Sequence, residues 1–110
     1  MAKFKLVALT TPLPGKEDEF HDWYQNTHLA EVISLPGGIS AQRFKLVAKL
    51  MGSDTNQWMA IYDFEADDGM ALLGAMGERA KSGQMTPATT QDMATTYTAL
   101  FTEYGEEVKA

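Results

Sequence analysis

Apolar positions along the chain switch between a repeat of two and a repeat near 3.6, and each switch marks an element. Residues 3–10, Lys-Phe-Lys-Leu-Val-Ala-Leu-Thr, alternate and then run continuously apolar, which predicts a strand with both faces partly covered. Thr11-Pro12-Leu13-Pro14-Gly15 is turn chemistry and ends it. Helical spacing starts near Lys16, with Glu17, Asp18 and Glu19 where the positive end of the helix dipole favours carboxylates. Leu35-Pro36-Gly37-Gly38 stops the helical region and permits a reversal.

Residues 39–48 and 57–65 read as the second and third strands, joined by the polar loop Gly52-Ser53-Asp54-Thr55-Asn56. Ile39, Ala41, Arg43, Lys45 and Val47 share one face of the second strand; Trp58, Ala60, Tyr62 and Phe64 share one face of the third. Asp67-Asp68 supplies an N-cap for a helix over about residues 68–81, with Met70, Leu73, Met76 or Gly77, and Ala80 as its apolar stripe. Residues 82–96 are rich in Thr, Gln, Ser and Gly and read as a loop with one short helical turn around 89–94, a candidate lid. A fourth alternating strand covers 97–104.

One stretch, 17–36, breaks its own pattern. At about 100° per residue Phe20, Trp23, Tyr24 and Thr27 fall on one face and His28 on its flank, but Leu29, Val32 and Ile33 point away. The simplest repair is a break near Asn26-Thr27, with Thr27 capping a second short helix that begins at His28. Such a break sets His28 at a bend beside aromatic rings, where an imidazole could face a cavity.

The order β-α-β-β-α-β predicts an α+β, ferredoxin-like fold: a four-stranded antiparallel sheet with both helices on one face, built as one domain over residues 1–110. The strands carry apolar residues on both faces, and two helices cover only one. A second copy of the chain on the open face, a barrel-like homodimer, is the economical answer.

Composition narrows the function classes. The net charge is −6 with nine basic residues, scattered apart from Arg43, Lys45 and Lys49, which disfavours nucleic acid. The chain has no cysteine, so disulfides, thiolate metal sites and a thiol nucleophile are excluded. The first residues superficially resemble a signal peptide, but Lys5 interrupts the apolar run and a strand explains it better. No run reaches the ~20 apolar residues of a membrane helix, so no membrane partner and a cytoplasmic location are expected. His21 and His28 lack HExxH-type spacing, no glycine pattern fits a dinucleotide or phosphate loop, and neither metal nor cofactor is expected.

The element order, with Glu19-Phe20-His21-Asp22-Trp23-Tyr24, Thr27-His28-Leu29, Leu35-Pro36-Gly37 and Ala41-Gln42-Arg43-Phe44, resembles the EthD-like proteins of the dimeric α+β barrel superfamily. The resemblance spans about residues 3–104; Ala30 stands where such proteins often carry Pro after His-Leu. It implies a pocket between helices and sheet in each subunit, and a superfamily that includes cofactor-free monooxygenases, polyketide cyclases and muconolactone isomerases. It does not imply one reaction.

His28 is the first candidate catalytic residue, a general acid or base, against a hydrogen-bonded structural histidine at a bend; the resemblance weighs toward function. Tyr24, one turn earlier, could donate to a developing enolate oxygen or simply be a core aromatic. Phe20, Trp23, Thr27, Trp58 and Tyr62 are candidate walls for a hydrophobic or aromatic small molecule, with packing as the plainer role. Arg43 could bind a substrate carboxylate or enolate, against a strand-surface ion pair with Asp63 or Glu65. The function expected is a cofactor-independent enzyme moving a proton next to a carbonyl, of isomerase, cyclase, lyase or oxygenase type. A non-catalytic binding protein of the same fold is the alternative.

Overall fold

Four antiparallel strands carry the period-two segments: β1 (Ala2–Thr10), β2 (Gly38–Lys45), β3 (Trp58–Ala66) and β4 (Tyr97–Thr102). In the computed structural model, which describes residues 1–110, they lie in the order β2-β3-β1-β4, the ferredoxin-like arrangement. Phe4 pairs with Phe64, Leu6 with Tyr62 and Ala8 with Ala60 across β1 and β3. Leu6 also meets Leu100 of β4, and Arg43 of β2 stands opposite Ala60. Because side chains alternate, this register places Phe4, Leu6, Ala8, Arg43, Tyr62 and Phe64 on one face, beneath the helices.

The helical layer begins with α1 (Glu17–Trp23) and continues through a π-helical turn, Tyr24–His28, into α2 (Leu29–Ile33). The expected break at Asn26-Thr27 is therefore absent. The backbone stays right-handed helical from Trp23 (φ −61°, ψ −47°) to Leu29 (φ −56°, ψ −48°), and the Leu29 N–H donates to the Tyr24 carbonyl five residues back. Thr27 caps nothing; Asn26, instead of ending a helix, donates from Nδ2 to Asp22 Oδ1 at 2.8 Å.

The wide turn holds one more residue than an α turn and so rotates everything after it. Phe20 and Tyr24 are buried four apart, Leu29 follows five on, and Val32 three beyond that. Chain direction is then reversed at Gly37, whose φ of +89° suits glycine alone, and at Gly38, where a Cβ would fall 1.9 Å from the Ile33 carbonyl oxygen.

The second helix, α3 (Gly69–Lys81), is capped by Asp68, which accepts from the Met70 N–H at 2.9 Å. Its inward stripe is Leu72 with Ala75 and Met76, rather than Met70 and Leu73; Met70 is 73% exposed. At the start of α3, Gly69 lies so close to the Phe4 ring that a Cβ would meet it at 2.9 Å, so the helix docks tightly on the sheet there.

Residues 82–96 form turns without a helix and are pinned to the body as a strap. Leu13 N–H donates to the Thr90 carbonyl at 2.8 Å, and Asp92 N–H to the Thr11 carbonyl at 2.9 Å. The Thr86 N–H and hydroxyl both donate to the Glu31 carboxylate of α2. On the far side of the sheet, Phe44, Leu46, Tyr97 and Phe101 stay exposed around an ion pair between Lys5 and Asp63. No helix is long and apolar enough to cross a membrane.

The phases of the two helical segments are separable by truncation. Leu29→Ala and Leu72→Ala are each expected to cost about 2–4 kcal/mol in urea unfolding, whereas Met70→Ala should stay within about 0.5 kcal/mol. A large loss from Met70→Ala would place α3 in the other phase.

Candidate functional site

The π turn decides which rings meet. Lengthening the turn by one residue carries His28 back over Trp23, and the two rings stack with centroids 4.5 Å apart and planes 24° from parallel. Tyr24 meets the edge of His28 at 4.9 Å, and Tyr62, rising from β3, does so at 6.3 Å. The imidazole is thus enclosed on three sides by aromatic surface. Burial pushes its pKa down to about 4, opposed weakly by Glu31 one turn ahead. At neutral pH His28 is uncharged, and its Nδ1 is buried with no hydrogen-bond partner. Trp23 Nε1 is in the same condition. Buried polar atoms are nearly always paired, so two unpartnered nitrogens on stacked rings make this the candidate site.

The Tyr24 and Tyr62 hydroxyls approach each other at 3.4 Å, a long contact that leaves each free to turn to another acceptor. Burial raises both phenols above their ordinary value. For Tyr24, the Tyr62 hydroxyl, the Arg43 charge and the Thr10 hydroxyl oppose that rise. Both therefore remain protonated and serve as donors.

Arg43 does not make the expected ion pair. It projects to the helix face, while Asp63 projects to the opposite face, pairing with Lys5 and accepting from the Ser40 hydroxyl. The Arg43 guanidinium lies over the rings of Tyr24 (4.8 Å), Trp58 (5.3 Å) and Phe20 (5.7 Å). Its Nη2 donates to His21 Nδ1 at 2.8 Å, and the His21 ring meets Trp58 at 4.3 Å.

Seven of the eight candidates therefore converge: Tyr24, His28, Phe20, Trp23, Tyr62, Trp58 and Arg43 form one continuous group of rings and charge. Thr27 sits on the same turn, half-buried, and makes no hydrogen bond to it. His21 belongs to the group and was missed. Its signal was available, since it follows Phe20 directly and so borders the aromatic face. Trp58 and Tyr62 face the helices.

The three best-formed concavities lie on or beside the open face. The one of about 500 Å³ is bordered by Phe4, Ile39, Phe64 and Phe101, and none of the three is lined by His28. Residue Met85 of the strap packs against the core, and the strap's Thr86 is tied to Glu31 of α2. No group of three His, Asp or Glu side chains is placed to hold a metal ion.

No family model matches the chain, and no curated protein matches its sequence. Solved structures do match. An ethyl tert-butyl ether d (EthD) family protein from Bacillus halodurans C-125 is 25% identical with a TM-score of 0.61, over 96% of this chain and 99% of its own. A candidate monooxygenase from Shewanella loihica PV-4 gives a TM-score of 0.63 at 12% identity, over 99% and 97%. SnoaB, a cofactor-independent oxygenase from Streptomyces nogalater, gives 0.60 at 15% identity, over 96% and 97%. The EthD-like resemblance and the ferredoxin-like fold read from the sequence are borne out.

His28 couples the site to stability. Its folded pKa lies below the unfolded value of 6.5, so the unfolded chain binds the extra proton as pH falls from 6.5 to about 4. Stability present above that window is lost across it, by up to about 3 kcal/mol. His28→Phe, which keeps a stacking ring, should flatten that limb in urea unfolding measured from pH 7 to pH 4. An unchanged difference between wild type and variant across the window would refute the buried neutral imidazole.

Proposed function

We propose that the chain is a small cofactor-independent enzyme of oxygenase type acting on a hydrophobic aromatic or polyketide-like carbonyl compound. The observation that carries this is the unpartnered, buried Nδ1 of His28, a neutral imidazole edge-on to the rings of Tyr24 and Tyr62. The first step is removal of a proton from the carbon next to the carbonyl. The proton goes to His28, the C–H electron pair moves to the carbonyl oxygen, and Tyr24 and Tyr62 donate to the resulting enolate.

The depressed His28 pKa is compatible with this role. It keeps the ring in its basic form at rest, and the negative charge growing on the enolate stabilises the imidazolium as it forms. Enolate formation is shared by isomerases, cyclases and lyases. The oxygenase type is favoured by likeness to SnoaB and to the Shewanella protein, whose descriptions name that chemistry. Phe20, Trp23, Thr27 and Trp58 wall the substrate, and the strap over residues 82–96 opens to admit it.

A homodimer through the open sheet face completes this reading, because exposed Phe44, Tyr97 and Phe101 would otherwise face water. Enclosure of the His28 ring by Trp23, Tyr24 and Tyr62 favours a second reading, a non-catalytic carrier that binds its ligand without turnover.

Hydrogen–deuterium exchange at the α-carbon of 2-tetralone in D₂O separates the two. The wild type should exceed the buffer rate and His28→Ala should lose ~100-fold or more, with Tyr24→Phe also slowed. Exchange unaffected by His28→Ala removes that residue from the mechanism; binding of the ketone without exchange establishes the carrier. Sedimentation at micromolar concentration should return twice the 12.1 kDa chain mass, and a monomer would refute the dimer.

A further inference from the structure

Arg43 is drawn against the core with no acidic partner, in a chain that carries 15 Asp and Glu residues against nine Lys and Arg. The three ion pairs of the structure use Lys5, Lys16 and Lys109 instead. Aromatic rings surround the guanidinium, and burial lowers its pKa while the Tyr24 and Tyr62 phenols oppose that fall; it stays charged nonetheless. Of its five N–H donors, one is taken, by His21 Nδ1 at 2.8 Å. Nε and Nη1 donate to no protein atom. An arginine is always a donor, so His21 accepts at Nδ1 and carries its proton on Nε2, a neutral ring that orients the fork without neutralising it. Lys45 adds a second cation, its Nζ 5.8 Å over the Trp58 ring. Two cations thus lie against the Trp58 ring, and neither is in an ion pair with a carboxylate of the chain; Asp18 and Glu17 act on the neighbouring His21.

We propose that Arg43, Lys45 and Trp58 form an anion subsite for the carboxylate of a planar aromatic acid, with His21 as the residue that positions the guanidinium. The planar fork matches a carboxylate bidentately, and the indole offers a surface on which the attached ring stacks. Arg43 is half-buried and Lys45 exposed, and partial desolvation of a guanidinium without a counter-ion is unfavourable, which an anionic ligand would offset. The subsite deepens the enzyme reading above and rests on it for its purpose. Arg43 and His28 both abut the Tyr24 ring, at 4.8 Å and 4.9 Å, so the anion subsite and the imidazole share one aromatic neighbour. The substrate class becomes an aromatic keto acid rather than a neutral ketone.

Titration calorimetry on the full chain with 2-naphthoate, its neutral analogue 2-acetonaphthone, and acetate tests the subsite. Naphthoate should bind ~10-fold or more tighter than the ketone, and acetate should give no heat at the same concentrations. Arg43→Gln should bring naphthoate down to the level of the ketone while leaving the ketone unchanged. His21→Phe should weaken naphthoate several-fold, and His21→Asn, whose amide oxygen stands near the position of Nδ1, should restore it. In the wild type, naphthoate should shift the NMR signals of the Trp58 indole N–H and the His21 ring.

Equal affinity for acid and ketone, an Arg43→Gln affinity equal to wild type, or unmoved Trp58 and His21 signals would each overturn the proposal. Naphthoate binding is read without turnover, so His28→Ala should retain it. Retained binding with no α-carbon exchange in the wild type sinks the enzyme reading alone; exchange without preference for the acid sinks the subsite alone.

Discussion

The hydrogen bond from the Leu29 N–H to the Tyr24 carbonyl, spanning five residues where a regular helix spans four, sets the arrangement of everything above the sheet. In a regular α-helix the partner of Leu29 would be Gln25, and the burial of Phe20 and Tyr24 would continue toward Thr27 and His28. Leu29 and Val32 would then face water. The wide turn reconciles two apolar stripes of different phase on one continuous helix, so both bury against the same sheet. It also makes the histidine neither core nor surface: the ring is folded back on Trp23 and held there, uncharged and incompletely bonded. Wide turns of this kind often coincide with functional sites, since they cost helix stability and persist where they position a side chain.

Most of the architecture was legible in the sequence because it depends on period and punctuation. Alternation in 3–10, 57–65 and 97–104, and the Pro-Gly-Gly stop, each reported a local property that the fold then used, with the last strand ending two residues early at Thr102. The phase conflict at 17–36 was legible too, but its resolution was not. A kink with a cap and a widened turn without one leave the same apolar pattern, and the hydrogen bond distinguishing them involves backbone atoms the sequence does not name. The stripe of α3 was misjudged for a related reason. Met70 and Leu73 have helical spacing as good as that of Leu72 and Met76, and the choice is made by packing between distant parts of the chain.

The candidate site followed the same division. Tyr24, His28, Phe20 and Trp23 were visible as a cluster because they are neighbours on one helix. The surroundings of Arg43 were not visible, since an arginine on a strand face favours the solvent reading, an ion pair with Asp63 or Glu65 of the next strand. Register decided it: opposite Ala60, it lies beneath the helix where His21 and three rings receive it. The ring cluster that results puts a neutral base and an unneutralised cation on two flanks of one tyrosine.

The strand order β2-β3-β1-β4 also bears on how the fold is reached. The central β1 is the first strand in sequence, and both its partners come later: Ala8 pairs with Ala60 and with Thr98. Neither ladder holding β1 can zip from a tight hairpin, so each must close a long loop before its hydrogen bonds form, which slows folding. During synthesis β1 emerges early and waits, both edges open, until β3 and then β4 leave the ribosome. The two lysines that interrupt its first half, Lys3 and Lys5, are the kind of charge that keeps an unpaired strand from joining its neighbours in the meantime.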